Sequence, residues 1–334
     1  MLVNDMETTI KVSVCVPVYG VEKYIEKCVR SLMEQTMKDS IEFVFVNDCT
    51  RDKSIEILKK IVSEYPERSN QVKIVNHNKN MGLPSARNTA LHNVSGEYII
   101  HCDSDDWVEP EMCQLMYKCA IETDADIVGC GFYENRLHKE TIVLDDFDCS
   151  NKEGIKRFLC MNQMHFNVWQ RLVKRTLYTK NEILFDPRFS MGEDCYANFM
   201  LHLKATKLAT VKIPLYHYRL TNQNSLVKSS GKKGEKDISI MLNLIEAELN
   251  KNGLMEEFNN EFQTFCYLHK FWQTFFYSDN FDFLWYENYR GSLNKKFPKL
   301  LLPSKVKRLG YIAYLTSPKL LKLLVVASRK LHVF

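Results

Sequence analysis

An α/β fold built on a mainly parallel sheet is what this sequence predicts, and three observations predict it. Short β-branched runs alternate with longer amphipathic ones over residues 12–131. The ends of the runs are polar, and one of them packs three carboxylates, Asp103, Asp105 and Asp106, into four positions. Short strands separated by helical stretches are the pattern of βαβ units on a parallel sheet flanked by helices.

The elements follow in order. Val12-Val18 reads as the first strand and Val21-Gln35 as its helix; Glu42-Val46 precedes the helical Lys53-Glu64. Val72-Val75 precedes Leu83-Val94, Tyr98-Cys102 precedes Glu109-Thr123, and Ile127-Gly131 is a fifth strand. Pro17 is awkward in a strand because it removes a ladder donor, so the chain is expected to be leaving the sheet there. Beyond residue 132 the pattern loosens. Glu193-Asp194 stand before the apolar Phe199, Met200, Leu201 and Leu203, which places both acids in the first turn of a helix, where its dipole favours ionised carboxylates. Val211-Tyr218 reads as another strand, followed by Arg219, and residues 235–290 as helices. The aromatic group Phe271, Trp272, Phe275, Phe276 and Tyr277 has the helical spacing of core packing.

In an open α/β sheet, ligands bind beyond the carboxyl ends of the strands. Those ends are Pro17-Val18-Tyr19, Asn47-Asp48-Cys49-Thr50, Asn76-His77-Asn78 and Asp103-Ser104-Asp105-Asp106. Neither the glycine fingerprint of a dinucleotide site nor a P-loop is present, so phosphate must be held otherwise. Crowded carboxylates raise one another's pKa unless a cation holds them ionised, and hard oxygens suit Mg2+ or Mn2+. The alternative is an acidic turn that caps the helix at Glu109-Pro110-Glu111.

Composition bounds the rest. The 334 residues are 45% hydrophobic and 26% charged, ordinary globular material. Formal charge is +4, yet residues 291–334 hold ten Lys and Arg and no acid, leaving 35 basic against 41 acidic side chains in residues 1–290. Eleven scattered cysteines without a Cys-x-x-Cys pair fit buried thiols in a reducing compartment. With no apolar leader and no long uncharged apolar run, a cytosolic protein is expected.

Taken together, these segments resemble the family 2 inverting glycosyltransferases of the GT-A fold, of the bacterial surface-polysaccharide type, over residues 12–220. Val14-Cys15-Val16-Pro17-Val18-Tyr19 is similar to the family's opening strand and Val46-Asn47-Asp48-Cys49-Thr50 to its Asn-Asp-Gly-Ser turn, with Cys49 where glycine is usual. Asn80-Met81-Gly82-Leu83-Pro84-Ser85-Ala86-Arg87-Asn88 resembles the Gly-Leu-x-x-Ala-Arg-Asn segment, Asp103-Ser104-Asp105 the Asp-x-Asp motif, and Gly192-Glu193-Asp194 the x-Glu-Asp motif.

The resemblance implies a role for each. Pro17, Val18 and Tyr19 wall the nucleotide pocket, and Asp48 accepts a hydrogen bond from the base, the alternative being an Asx-turn. Arg87 lies near the nucleotide, unless it is a surface cation. Asp105 ligates Mn2+ or Mg2+, with Asp103 at the ribose or metal and Ser104 in the nucleotide-sugar site. His217 completes the metal or diphosphate contacts, or else is a structural histidine. Asp194 is the base that deprotonates the acceptor, and Glu193 orients it or contacts the acceptor.

The resemblance also implies a nucleotide-sugar donor, a UDP-sugar by family expectation, and a glycan or lipid-linked acceptor. The expected domains are 1–220 for the GT-A unit, 221–294 for a helical C-terminal extension, and 295–334 for a basic amphipathic tail. That tail interleaves cations with Leu300-Leu301-Leu302 and Leu320-Leu321-Lys322-Leu323, so it either lies on an anionic membrane surface or packs on the domain. No recognised nucleic-acid module accompanies its charge, and no nucleic-acid partner is expected. A non-catalytic sugar-nucleotide binder of the same fold and a two-carboxylate glycoside hydrolase are the competing readings.

Overall fold

A computed structural model describes residues 10–160, 164–165, 167–222 and 231–277. The remaining residues, with the whole basic tail, lie outside the described part, as do the side chains of the aromatic group at 271–277. The strands are β1 (Val12–Val18), β2 (Ile41–Asn47), β3 (Val72–Asn76), β4 (Tyr98–His101), β5 (Trp107–Val108), β6 (Ile127–Arg136), β7 (Lys139–Val143), β8 (Cys149–Ser150), β9 (Arg171–Lys174) and β10 (Lys207–Arg219). The helices are α1 (Ile25–Met33), α2 (Ser54–Ser63), α3 (Leu83–Leu91), α4 (Met112–Thr123), α5 (Asn151–Cys160), α6 (Arg175–Lys180), α7 (Glu193–Lys204), α8 (Gly231–Lys251) and α9 (Met255–Tyr277).

The sheet runs β3-β2-β1-β4-β9-β6-β10-β5, with β7 beside β6 and β8 beside β10. β3, β2, β1 and β4 are mutually parallel, and β9 lies antiparallel to both β4 and β6. β6 and β10 therefore point the same way as β1, and the sheet is parallel except for β9 and the short β5, β7 and β8. All the long parallel strands deliver their carboxyl ends to one rim.

The central strands bury the residues that their pattern promised, whereas the edge strand β3 buries none fully. β1 is buried along its full length, as a central parallel strand covered on both faces should be. Val12, Val14, Val16 and Val18 face the α1 and α4 side with Ile25, Val29 and Met116, while Cys15 joins Val44, Val46 and Ala86 on the other face. Pro17 is tolerated for a positional reason. The Cys15 carbonyl accepts from Cys102 N and the Val18 carbonyl from Asp48 N, so by alternation the Pro17 nitrogen faces the β4 side, where paired residues have already ended at Cys15. Pro214 in β10 is accommodated at a register shift against β6. Helices α8 and α9 are not a detached appendage: Met241, Ile245, Phe262 and Phe265 share a core with Phe158 and Phe199.

Candidate active site

The acidic turn follows β4 and is tied down by β10. Tyr216 Oη donates to Asp106 Oδ2 at 2.8 Å and accepts from Asp103 N at 3.1 Å. Arg219 N donates to Asp106 Oδ1 at 2.7 Å, and Arg219 Nε to the Asp105 carbonyl at 2.6 Å. Asn222 Nδ2 donates to Asp105 Oδ2 at 2.8 Å. Asp106 is buried and spent on these bonds, so it latches the turn, while Asp103 stays partly exposed. Burial, and then the Asp103 charge, push Asp105 above the usual carboxylate range; burial, Asp105 and Asp103 do the same more strongly to Asp106. Arg87 and Arg219 offset part of this crowding, and a divalent cation would relieve the rest. The donor set suits one that takes one or two carboxylates and leaves its other positions to phosphate. Asp105 and Asp103 would hold it.

Opposite this turn stands the Glu193-Asp194 pair, and Arg87 joins the two. Arg87 is 2% exposed; its Nη2 donates to Asp103 Oδ1 at 3.0 Å and its Nη1 to Glu193 Oε1 at 2.8 Å. The surface-cation alternative is thereby excluded. The next residue, Asn88, donates from Nδ2 to the Phe185 carbonyl and accepts from Phe185 N, which pins the segment leading to the second acid turn. Glu193 and Asp194 begin α7, and Gly192 before them has φ +86°. A Cβ at Gly192 would stand 3.1 Å from Met241 Sδ and 3.2 Å from Ile238 Cδ1. Both the backbone and the close approach of α8 thus require glycine there. Asp194 Oδ1 accepts from Cys195 N at 2.7 Å, and the carboxylate remains partly exposed within densely packed walls. Burial and then the Glu193 charge push its pKa up to about 7, against the lowering influence of Arg87. A carboxylate poised there is suited to general-base work near neutrality.

At the other end of the rim, Pro17 and Val18 are buried and Tyr19 is half exposed. Asp48, just past β2, lies close to them but is already engaged: Oδ1 accepts from His77 Nδ1 and from Met81 N, both at 2.7 Å, and Oδ2 from Gly82 N at 2.8 Å. Cys49 takes φ +57°, the left-handed conformation that the usual glycine would adopt. Ser104 is buried inside the acidic turn.

His217 sits differently from the expectation of a metal ligand. Its Nε2 is 2.8 Å from Glu109 Oε1 and its Nδ1 is 3.3 Å from Asn135 Nδ2, and the ring is sandwiched between Trp107 and Tyr133. Among the described residues no group of three His, Cys, Asp or Glu side chains comes together as a metal cage, and in this arrangement both His217 nitrogens already face Glu109 and Asn135. The reason is register: His217 pairs with Trp107 of β5, which turns its ring into that stack. Sequence reasoning missed Asp106, Tyr216 and Asn222 as the supports of the acid turn, and His77 as the partner of Asp48. Asp106 and His77 stand in segments the sequence marks, but their pairings, like Tyr216 and Asn222 themselves, carry no local pattern because each acts across a long sequence separation.

The comparisons with known proteins bear on the family and the fold. Residues 13–181 match Glycosyl transferase family 2. Glycosyltransferase EpsH of Bacillus subtilis (strain 168) is 33% identical over 270 residues, covering 79% of this chain and 76% of that protein. S. aureus TarS 1-349 in complex with UDP-GlcNAc has a TM-score of 0.69 at 20% identity, covering 96% of this chain and 92% of that one. Mannosyltransferase PcManGT from Pyrobaculum calidifontis, in complex with GDP-Man and Mn2+, has a TM-score of 0.59 at 16% identity, over 97% and 81% of the two chains. These likenesses show the GT-A architecture expected from the sequence, and no described helix is long and apolar enough to cross a membrane. The motifs, the sheet and the matched profile converge, and the chain belongs to glycosyl transferase family 2 as a glycosyltransferase.

Proposed function

We propose that this enzyme moves a sugar, with inversion, from a UDP-sugar to a hydroxyl of a glycan or lipid-linked acceptor during cell-surface polysaccharide assembly. The observation that carries the reading is the Arg87 bridge, which sets the acids suited to a diphosphate-bound cation against the acid suited to take a proton. TarS bound to UDP-GlcNAc supports the choice of donor, and PcManGT with Mn2+ supports a metal.

In the reaction, the acceptor oxygen forms a bond to the anomeric carbon as the bond to the diphosphate oxygen breaks, and the electron pair leaves with the diphosphate. Asp194 takes the proton that the hydroxyl loses, a contribution of about 10²–10⁴-fold. Glu193, fixed by Arg87, keeps Asp194 in place and raises its basicity. A bound Mn2+ or Mg2+ would neutralise charge on the departing diphosphate. Asp106, Tyr216 and Asn222 hold Asp105 still for that task. Pro17, Val18, Tyr19 and Asp48 would receive the nucleoside.

Residues 1–220 would be the catalytic unit, 221–294 its helical extension, and the tail 295–334 would hold the enzyme at an anionic, cytoplasmic membrane face. Flotation of the full chain and of a chain ending at residue 294 with phosphatidylglycerol vesicles tests the tail: equal partitioning refutes it. Nucleotide release from a panel of nucleotide sugars, with Mn2+, Mg2+ or chelator, tests the chemistry. The expected result is metal-dependent release from a UDP-sugar; indifference to chelator refutes the metal, and preference for another nucleotide refutes the donor.

A further inference from the structure

Asp48 is nearly saturated by the protein around it. A carboxylate offers about four acceptor positions. Three are filled, by His77 Nδ1, Met81 N and Gly82 N. His77 follows β3, and its other nitrogen lies 2.8 Å from Thr89 Oγ1 on α3. The side chains of His77 and Asp48 are 7% and 4% exposed, so this chain of polar groups is shielded from water. Because a carboxylate accepts, His77 Nδ1 donates to Asp48, while the Thr89 hydroxyl holds the other ring nitrogen. Thr89, His77 and Asp48 thus form one chain that ends on the acid.

Two consequences follow. Asp48 cannot rotate without breaking three bonds, so its remaining acceptor position has a fixed direction. With three donors already on its two oxygens, what it has left to offer is an acceptor position. Whatever fills the fourth position must bring an N–H or O–H. Uracil does so at its ring N3, whereas cytosine presents an acceptor at the same atom, and two acceptors face to face leave both unsatisfied.

We propose that His77, locked by Thr89, is the positioning residue that sets the base preference of the nucleotide pocket, admitting uracil and rejecting cytosine through Asp48. This rests on the reading of Asp48 as the base contact. A purely structural tie between β2, β3 and α3 would affect stability and leave base preference alone.

The test is calorimetric titration of the full chain with UDP and with CDP in the presence of Mg2+, comparing wild type with His77→Phe, Thr89→Val and Thr89→Ser. Wild type is expected to prefer UDP. His77→Phe and Thr89→Val are expected to reduce the UDP/CDP affinity ratio by about fivefold or more through weaker UDP binding. Thr89→Ser, which keeps the hydroxyl, retains the wild-type ratio. Should His77→Phe fail to fold, Thr89→Val, isosteric with threonine, decides alone. An unchanged ratio in folded variants overturns the role of His77. Equal binding of UDP and CDP by wild type instead overturns the Asp48 reading beneath it.

Discussion

Replacing Asp194 by Asn should make the enzyme slower and, above neutrality, more stable. The carboxyl pKa moves from 3.8 to about 7 because burial and the neighbouring Glu193 disfavour its charge. The unfolded chain releases this proton near pH 4, whereas the folded chain holds it to about pH 7. The group's favourable contribution is therefore complete below the unfolded value and is lost as pH rises through the folded one. At one pKa unit per about 1.36 kcal/mol the shift bounds the cost at about 4 kcal/mol, and partial exposure of the carboxylate reduces it to about 1–2 kcal/mol. Asn removes the charge yet keeps the oxygen that accepts from Cys195 N. Urea unfolding at pH 8 should thus show the variant to be stabilised, with the difference shrinking as pH falls below 7 and gone only below about pH 4. Catalysis runs the other way, since only the ionised form takes a proton. Wild-type turnover should fall about tenfold per pH unit below 7, and the variant should lose about 10²–10⁴-fold at the plateau. Turnover flat from pH 8 to 5, or a variant destabilised at pH 8, refutes the reasoning.

Arg87→Met leaves Asp103 and Glu193 facing each other without their shared cation, and should cost about 3–5 kcal/mol in urea unfolding near neutral pH; an unchanged midpoint contradicts the bridge. Arg87→Lys should rescue little, because one ammonium cannot reproduce a fork that reaches both acids. Asp105→Ala should abolish Mn2+-dependent UDP binding in calorimetry, and retention of that dependence removes Asp105 from the metal site. Cys49→Gly relieves a left-handed backbone angle and should raise stability by up to about 1 kcal/mol in thermal or urea denaturation; a loss of that size instead shows that the Cys49 side chain contributes packing beyond its weak contact with the Asn78 carbonyl.

The parallel half of the sheet was legible because its central strands β1, β2 and β4 are buried almost throughout and so read as short apolar runs; β1 and β2 end within one residue of where those runs end. β9 was not. Arg171–Lys174 has charges at both ends of a four-residue stretch, and Arg171 reads as surface until its Nη2 is seen on Asp145 at 2.8 Å, with both side chains buried. The acids and Arg87 announced themselves through short motifs, since a cluster of charges next to a strand end has few structural uses. Their supports did not: a tyrosine, an arginine and an asparagine spread over 216–222 carry no local signature, and only the fold brings them to the turn at 103–106. His217 shows the opposite failure, a residue of chemically suitable type that cross-strand pairing turns into an aromatic stack.

The staples on the acid turn come from 110 to 117 residues further along the chain. During synthesis, the segment bearing Asp103 and Asp105 leaves the ribosome long before Tyr216, Arg219 and Asn222 exist, so a half-made chain cannot present a finished cation cradle. A fragment trimmed to the matched region 13–181 would likewise lack these clamps together with Asp194. The shape of this turn is therefore completed only when nearly the whole sheet has closed.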